Sequence, residues 1–220
     1  MTDNVQTALS DAARAAIFGQ IGRPDAATRR QAVQAALAAG ERGPQPRIAG
    51  DLAARFVARA EALASTCERL PAMDAVPAAM ARYLEAQGLG RRAVATPEIG
   101  GLDWAAAGLE VEARPAVDAD MVGVTGADLA IAETGTLMLL SSPQSPSTVS
   151  LLPETHIVIV RASRLVATLE EAFARLRAER GELPRAVNFI SGPSRTGDIE
   201  QTIVLGAHGP CRVHLMLIED

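Results

Sequence analysis

Residues 1–90 carry their apolar side chains at helical spacing. Between Val5 and Phe18, the positions Leu9, Ala12, Ala13, Ala16 and Ile17 recur every three or four residues and predict a helix. Pro24 is placed to open a second helix, which Gly40 would end. A third is expected after Asp51, with Leu52, Phe56, Val57, Ala60 and Leu63 on one broad face. A fourth runs from about Val76 to Ala86 and stops before Gly88. Glu41 to Gly50 holds two glycines and two prolines, which marks a loop or hinge.

After Gly90 the pattern changes to short β-like runs separated by loops. Ala93–Ala95 and Leu109–Ala113 are weak strand candidates. Asp128–Ala132 and Thr136–Leu140 are stronger and flank a Glu133-Thr134-Gly135 turn. His156–Val160 and Ala186–Ile190 read as buried strands, and Arg212–Ile218 as a last one. Thr168–Arg180 reads as a helix with Leu169, Ala172, Phe173 and Leu176 inward and Gly181 at its end. Apolar strands with an intervening helix predict an α/β fold, a mainly parallel or mixed sheet covered by helices. The expectation is one structural unit. Its α/β core spans 91–220 around one sheet, and the helical region 1–90 packs on that core or on a neighbouring subunit of a homo-oligomer.

Composition narrows the chemistry. All 21 basic residues are arginine. The lack of lysine removes a P-loop lysine, a Schiff-base lysine and lysine-bound pyridoxal together. The two cysteines, Cys67 and Cys211, are too few for an iron–sulfur cluster or a cysteine-rich zinc site. No metal site and no intrinsic cofactor are therefore expected. A net charge of −5 offers no general attraction for nucleic acid or anionic membranes. The first residues lack signal-peptide features, and no apolar run approaches spanning length, so a cytoplasmic protein is expected.

Three motifs carry candidate chemistry. In Ala130-Ile131-Ala132-Glu133-Thr134-Gly135-Thr136, a carboxylate sits where a strand meets a turn, with hydroxyls and a glycine beside it. It could bind a polar ligand or present Glu133 as an acid–base or nucleophilic group; equally, the threonines could satisfy their own turn. In Ile190-Ser191-Gly192-Pro193-Ser194-Arg195-Thr196-Gly197-Asp198-Ile199-Glu200, small hydroxyl residues and Arg195 follow a strand and could surround a carboxylate or phosphate. They could equally form a strand-to-helix connection capped by Ser194. In Gly206-Ala207-His208-Gly209-Pro210, His208 is an acid–base candidate or a turn residue. His156 and His214 lie in strand-like segments and read as packing or surface residues.

In order, these motifs resemble the lactate-utilisation protein C family, which carries a LUD domain. The resembling stretch runs from Val122 to Ile218. It includes Thr125-Gly126-Ala127-Asp128, Glu133-Thr134-Gly135-Thr136, Ile190-Ser191-Gly192-Pro193-Ser194, Asp198-Ile199-Glu200 and His208-Gly209-Pro210. Gly126 reads as a turn glycine, and Ala127 stands where some relatives have cysteine. The resemblance implies a fold like ribose-5-phosphate isomerase and the CoA transferases. It also implies a part in oxidising L-lactate to pyruvate beside two iron–sulfur partner proteins, which would hold the redox cofactors.

Three functions follow as expectations. One is an accessory or substrate-handling subunit of a lactate-oxidising complex. Another is an independent CoA-transferase-like or anion-binding enzyme using Glu133, with a non-catalytic ligand-binding module as a third. Glu133 and His208 are the candidate catalytic residues. Thr134, Gly135, Thr136, Ser191, Gly192, Ser194, Arg195, Thr196 and Asp198 are the candidate ligand-binding residues, expected to share one cleft. From the cysteine count, the purified chain should hold no stoichiometric iron–sulfur cluster. Iron and sulfide analysis with visible absorbance measures this, and a full cluster in a monomeric preparation would refute it.

Overall fold

The computed structural model describes residues 2–21, 25–40, 43, 47–197 and 204–219. The chain divides into two compact units, Met1–Pro46 and Arg47–Asp220. The expected change of character at Gly90 thus falls inside the second unit.

The first unit holds α1 (Thr2–Ile21) and α2 (Ala26–Ala39). Asp25 caps α2 by accepting from the backbone N–H groups of Ala27 and Thr28, at 2.7 and 3.0 Å. Gly40 ends α2 in the left-handed conformation. Pro24, read as the start of this helix, lies outside the described residues. No described residue of α2 is buried.

The second unit runs α3 (Leu52–Ala62), β1 (Thr66–Leu70), α4 (Val76–Ala86), β2 (Arg92–Ala95), β3 (Glu110–Ala113), β4 (Val122–Gly126), β5 (Leu129–Ile131) and β6 (Thr136–Leu140). It continues through α5 (Thr148–Leu151), β7 (Thr155–Arg161), β8 (Leu165–Val166), α6 (Leu169–Arg180), β9 (Val187–Ile190), β10 (Arg195–Thr196), β11 (Val204–Leu205) and β12 (Arg212–Ile218). Asp51 caps α3 through the Ala53 and Ala54 N–H groups.

The strands form three sheets among the described residues, not the single sheet expected. Six parallel strands lie in the order β1-β12-β7-β4-β2-β3. Four form a mixed sheet, β8-β5-β6-β9, and β10 pairs antiparallel with β11. The reason lies between β4 and β5. Gly126 ends β4, and Ala127 N–H makes a last bond to Ile159 C=O at 2.9 Å. The chain then turns away, and β5 and β6 form an antiparallel hairpin that packs across the larger sheet.

Among the described residues, alternation along the strands builds three large cores beside a small fourth of Val94, Ala116 and Val149. Val124, Ile157 and Met216 face Met80 and Leu84 of α4. Val158, Leu215 and Leu217, on the opposite face, meet Ala130 and Leu137 of the hairpin and Phe56 of α3. Ile131 and Met138, on the hairpin's far side, meet Ala172 and Leu176 of α6. Strands β7 and β12 are therefore covered on both faces, which is why they read as continuous apolar runs.

Among the described residues, five strands have no counterpart in the sequence pattern: β1, β4 and the two-residue β8, β10 and β11. β4 is central, yet Gly123 lies inside it and Gly126 ends it, which weakens the β pattern. Gly123 is required by contact: a Cβ there would lie 2.0 Å from Val149 C=O. β1 is an edge strand with only Leu70 buried, so its alternation is faint. It joins β12 in register from Thr66↔His214 to Leu70↔Ile218, so part of the region read as helical belongs to the main sheet.

The two strand histidines are both buried packing residues. His156 Nε2 lies 2.9 Å from Thr125 Oγ1, and His214 Nδ1 lies 2.8 Å from Thr66 Oγ1. His214 also stacks on Tyr83 at 3.9 Å between ring centroids. Burial pushes His156 down to about 3 and His214 down to about 4, from an ordinary 6.5. Because the folded values are depressed, the unfolded chain binds these protons first as pH falls. Unfolding free energy should be flat in their contribution above about pH 6.5. It should fall below that, towards a slope of about two protons near pH 5. Urea titrations across pH measure it. An unchanged slope in His156→Gln and His214→Gln would exclude these two residues as the cause.

Candidate functional site

Because the six strands are parallel, their carboxyl ends share one edge. The chain leaves β2 for β3 on one side and returns to β4 on the other, so connections diverge beside β2 and β4. Ligands of α/β sheets bind at such divergences. A cavity of about 420 Å³ lies there, framed by Glu98 after β2, Gly126 to Asp128 after β4, Arg161 at the end of β7, and Arg164.

Glu98 sits in a short 3₁₀ turn, Pro97–Ile99, directly beyond β2. Its carboxylate accepts from Thr96 Oγ1 at 3.3 Å. Gly126 ends a strand and is not the turn glycine expected; a Cβ there would stand 3.1 Å from Glu98 Oε1. Burial and, second, the charge of Asp128 raise Glu98 above the usual carboxylate range, against hydrogen bonds from Thr96 and Gly126. A raised carboxyl at a cleft is an acid–base candidate.

Asp128 is held from two sides. Its carboxylate accepts from Leu140 N–H at 2.8 Å and from Arg180 at 3.2 Å. Its C=O accepts from Arg164 Nε at 2.6 Å. Arg164 makes a two-pronged pair with Glu179 at 2.7 and 2.8 Å. Hydrogen bonds from Arg164 and then Arg175 hold Glu179 down at about 2. The cavity thus combines fixed guanidinium charge with one carboxyl inclined to keep its proton, a pairing suited to a small anion.

The sequence motifs assemble elsewhere. Glu133 lies just beyond β5, roughly 15 Å along the chain from Asp128 at its near end. It is half-buried, and its N–H donates to Ala167 C=O at 3.0 Å. Thr134 Oγ1 and Thr136 Oγ1 share a hydrogen bond of 2.7 Å, and Thr136 Oγ1 and Ser191 Oγ another of 2.7 Å. The first two motifs therefore meet through a chain of hydroxyls. Arg195 donates to Leu63 C=O at the end of α3, at 3.0 Å. Ser194 N–H donates to Pro210 C=O at 2.8 Å, and a Cβ on Gly209 would lie 3.4 Å from Ser194 Cβ. That brings the second motif beside the third. Thr196 is buried in β10, and His208 is exposed. Asp198 lies outside the described residues.

Two glycines of these motifs, Gly135 and Gly192, serve α3. Gly135 has φ +68°, and a Cβ on it would lie 2.4 Å from Ala60 N. Gly192 has φ +81°, and its Cβ would lie 2.2 Å from Leu63 C=O. Both let the helix backbone come close.

Among the described residues no group of three or more His, Cys, Asp or Glu side chains gathers as a metal site. Cys67 and Cys211 are both free, and burial, with Glu61 second, pushes the Cys67 thiol up to about 12. No helix among the described residues is long and apolar enough to cross a membrane.

Residues 56–218, most of the chain, match the LUD domain family. The chain belongs to the LUD domain family. Lactate utilization protein C of Shouchella clausii is 44% identical over 101 residues, covering 45% of this chain and 44% of that one. Lactate utilization protein C of Bacillus subtilis is 39% identical over 102 residues, 45% of this chain and 42% of that one. The matches thus span less than half the length of these curated relatives. The crystal structure of a DUF162 family protein from Deinococcus radiodurans aligns with a TM-score of 0.59 and 25% identity. It covers 79% of this chain and 100% of that one.

In this LUD domain, sequence reasoning missed Glu98, Arg161 and Arg164 and quoted Asp128 only as part of a motif. One signal was present: Glu98 directly follows a strand candidate, where parallel sheets place ligands. For the glycine motifs, Gly135→Ala should destabilise the fold by about 3 kcal/mol, from overpacking against α3 and the left-handed backbone. Urea denaturation measures this, and a loss under about 1 kcal/mol would show that α3 does not need that approach.

Proposed function

We propose that this LUD domain protein serves L-lactate utilisation as a substrate-handling component in the cytoplasm, and that the cavity between Glu98, Asp128, Arg161 and Arg164 holds a small carboxylate. The observation that carries the reading is a carboxyl raised by burial, beside fixed arginine charge, at the divergent edge of the sheet. The names of its relatives supply the substrate. An L-lactate carboxylate would lie toward the guanidinium groups, with Glu98 placed to take or return a proton.

Oxidation of lactate to pyruvate removes two electrons, which need an acceptor. With two cysteines and no dinucleotide fingerprint in the sequence, the chain is read as leaving that step to iron–sulfur partners. The alternative is a CoA-transferase-like enzyme acting through Glu133, whose half-buried position beside the hydroxyl chain favours it.

Substitution separates the two. Glu98→Gln should fold with an unchanged melting temperature and slow lactate-dependent growth at least about tenfold, as loss of a positioned acid–base group does. Wild-type L-lactate binding should tighten as pH falls, because protonating Glu98 removes a negative charge facing the anion, and Glu98→Gln should lose that dependence. Normal growth and binding in Glu98→Gln, with both lost in Glu133→Gln, would replace this reading with the alternative.

A further inference from the structure

A second cavity, of about 590 Å³, abuts the first. The two meet at Met73, Gly101 and Leu102. Its outer walls are Pro77 and Ala78 at the start of α4, and Ala106 and Ala107 on the facing turn. Alanine and glycine keep this space open, and methionine at the junction is an adaptable side chain. Two aspartates, Asp74 and Asp103, also line the groove, each next in sequence to a junction residue, Met73 or Leu102. Asp103 is fixed there by accepting from Ala106 N–H at 3.1 Å.

The two cavities differ in charge. The inner one holds Arg161 and Arg164 beside Glu98 and Asp128, whereas the groove is lined by apolar side chains and two carboxylates, with no arginine. An anionic head belongs at the arginine end, and the apolar walls past Leu102 suit a chain that carries no second negative charge. Size agrees. Lactate is small beside even the first cavity, and cavities of roughly 300–1,000 Å³ enclose ligands of cofactor or drug size.

We propose that the binding site continues from the polar cavity into this groove, and that it takes monocarboxylic acids with an unbranched apolar chain longer than lactate's. The carboxylate lies at Arg161 and Arg164, and the chain passes Met73 and Leu102 to lie between Ala78 and Ala106. This rests on reading the polar cavity as the ligand site.

The test is calorimetric titration of the full chain with acetate, L-lactate, butyrate, hexanoate and octanoate, at fixed pH and below micellar concentrations. Affinity should rise from acetate to octanoate by about threefold to fourfold per buried methylene, as transfer of that group from water gives. The dicarboxylic acid suberate should bind about tenfold or more weakly than octanoate, because its second charge meets Asp74 and Asp103. Octylamine should not bind. Ala106→Trp fills the groove from an exposed position. It should bring octanoate down to the level of acetate while leaving L-lactate binding and melting temperature unchanged, and Ala78→Trp should do the same from the opposite wall.

Intact lactate binding with no dependence on chain length overturns the groove and leaves the proposed function standing. Failure of every acid, lactate included, overturns both. Equal binding of octylamine and octanoate, or a chain-length dependence that survives both tryptophan variants, places the apolar binding elsewhere and overturns the groove.

Discussion

The passage from β4 to β5 is the constraint on which the rest of this fold depends. In two residues, Ala127 and Asp128, the chain leaves the six-stranded sheet and enters the four-stranded one. Backbone groups at such a crossing are pulled away from their ladders and must find other partners. Ala127 N–H stays bound to Ile159 C=O, while Asp128 N–H is taken by Met138 C=O across the hairpin. The Asp128 carboxylate then supplies an acceptor for Leu140 N–H, which lengthens the hairpin's hold by one rung. Its C=O is covered by Arg164, which Glu179 of α6 fixes in turn. One aspartate thus joins two sheets and a helix. The charges gathered for that junction also frame the cavity, so structure and site share a cause.

This explains which parts were legible in the sequence. The helices α3 and α4 and the strands β7 and β12 were readable because their burial repeats over several turns or rungs. Asp51 and the apolar face after it are enough to start α3, and Val76–Ala86 stands as read. β4 was hidden by Gly123, whose missing side chain is a tertiary requirement set by α5. The split into two sheets was hidden as well, since the two residues that make it carry no pattern of their own. Glu98 was hidden for a third reason. A lone carboxylate after a short strand means little until the strand order sets β2 beside β4.

The motifs that carried the family resemblance had a different weight. The ordered glycines and hydroxyls around 133–136 and 191–196 identify the LUD domain well, but much of what they do is to admit α3. Gly135 and Gly192 make room for the backbone at Ala60 and Leu63, and Arg195 takes the Leu63 carbonyl that the helix end leaves open. Such residues are demanded by packing as strictly as by chemistry. A motif therefore points to a family more safely than to an active site.

Within the cavity, the arginines and the glutamate contribute in different ways. Three of the five N–H donors of Arg164 are already engaged, one by Asp128 C=O and two by Glu179. Its place is fixed, so its charge acts on a ligand without reorganising, which is the condition under which electrostatic stabilisation is effective. Glu98 is the variable partner. Burial and the neighbouring Asp128 both favour its neutral form, and a bound anion adds to that preference. Binding of a carboxylate and protonation of Glu98 are then linked, each favouring the other by the same free energy. A ligand that arrives as an anion draws a proton onto the group best placed to return it, so the site would be set for proton transfer by the act of binding.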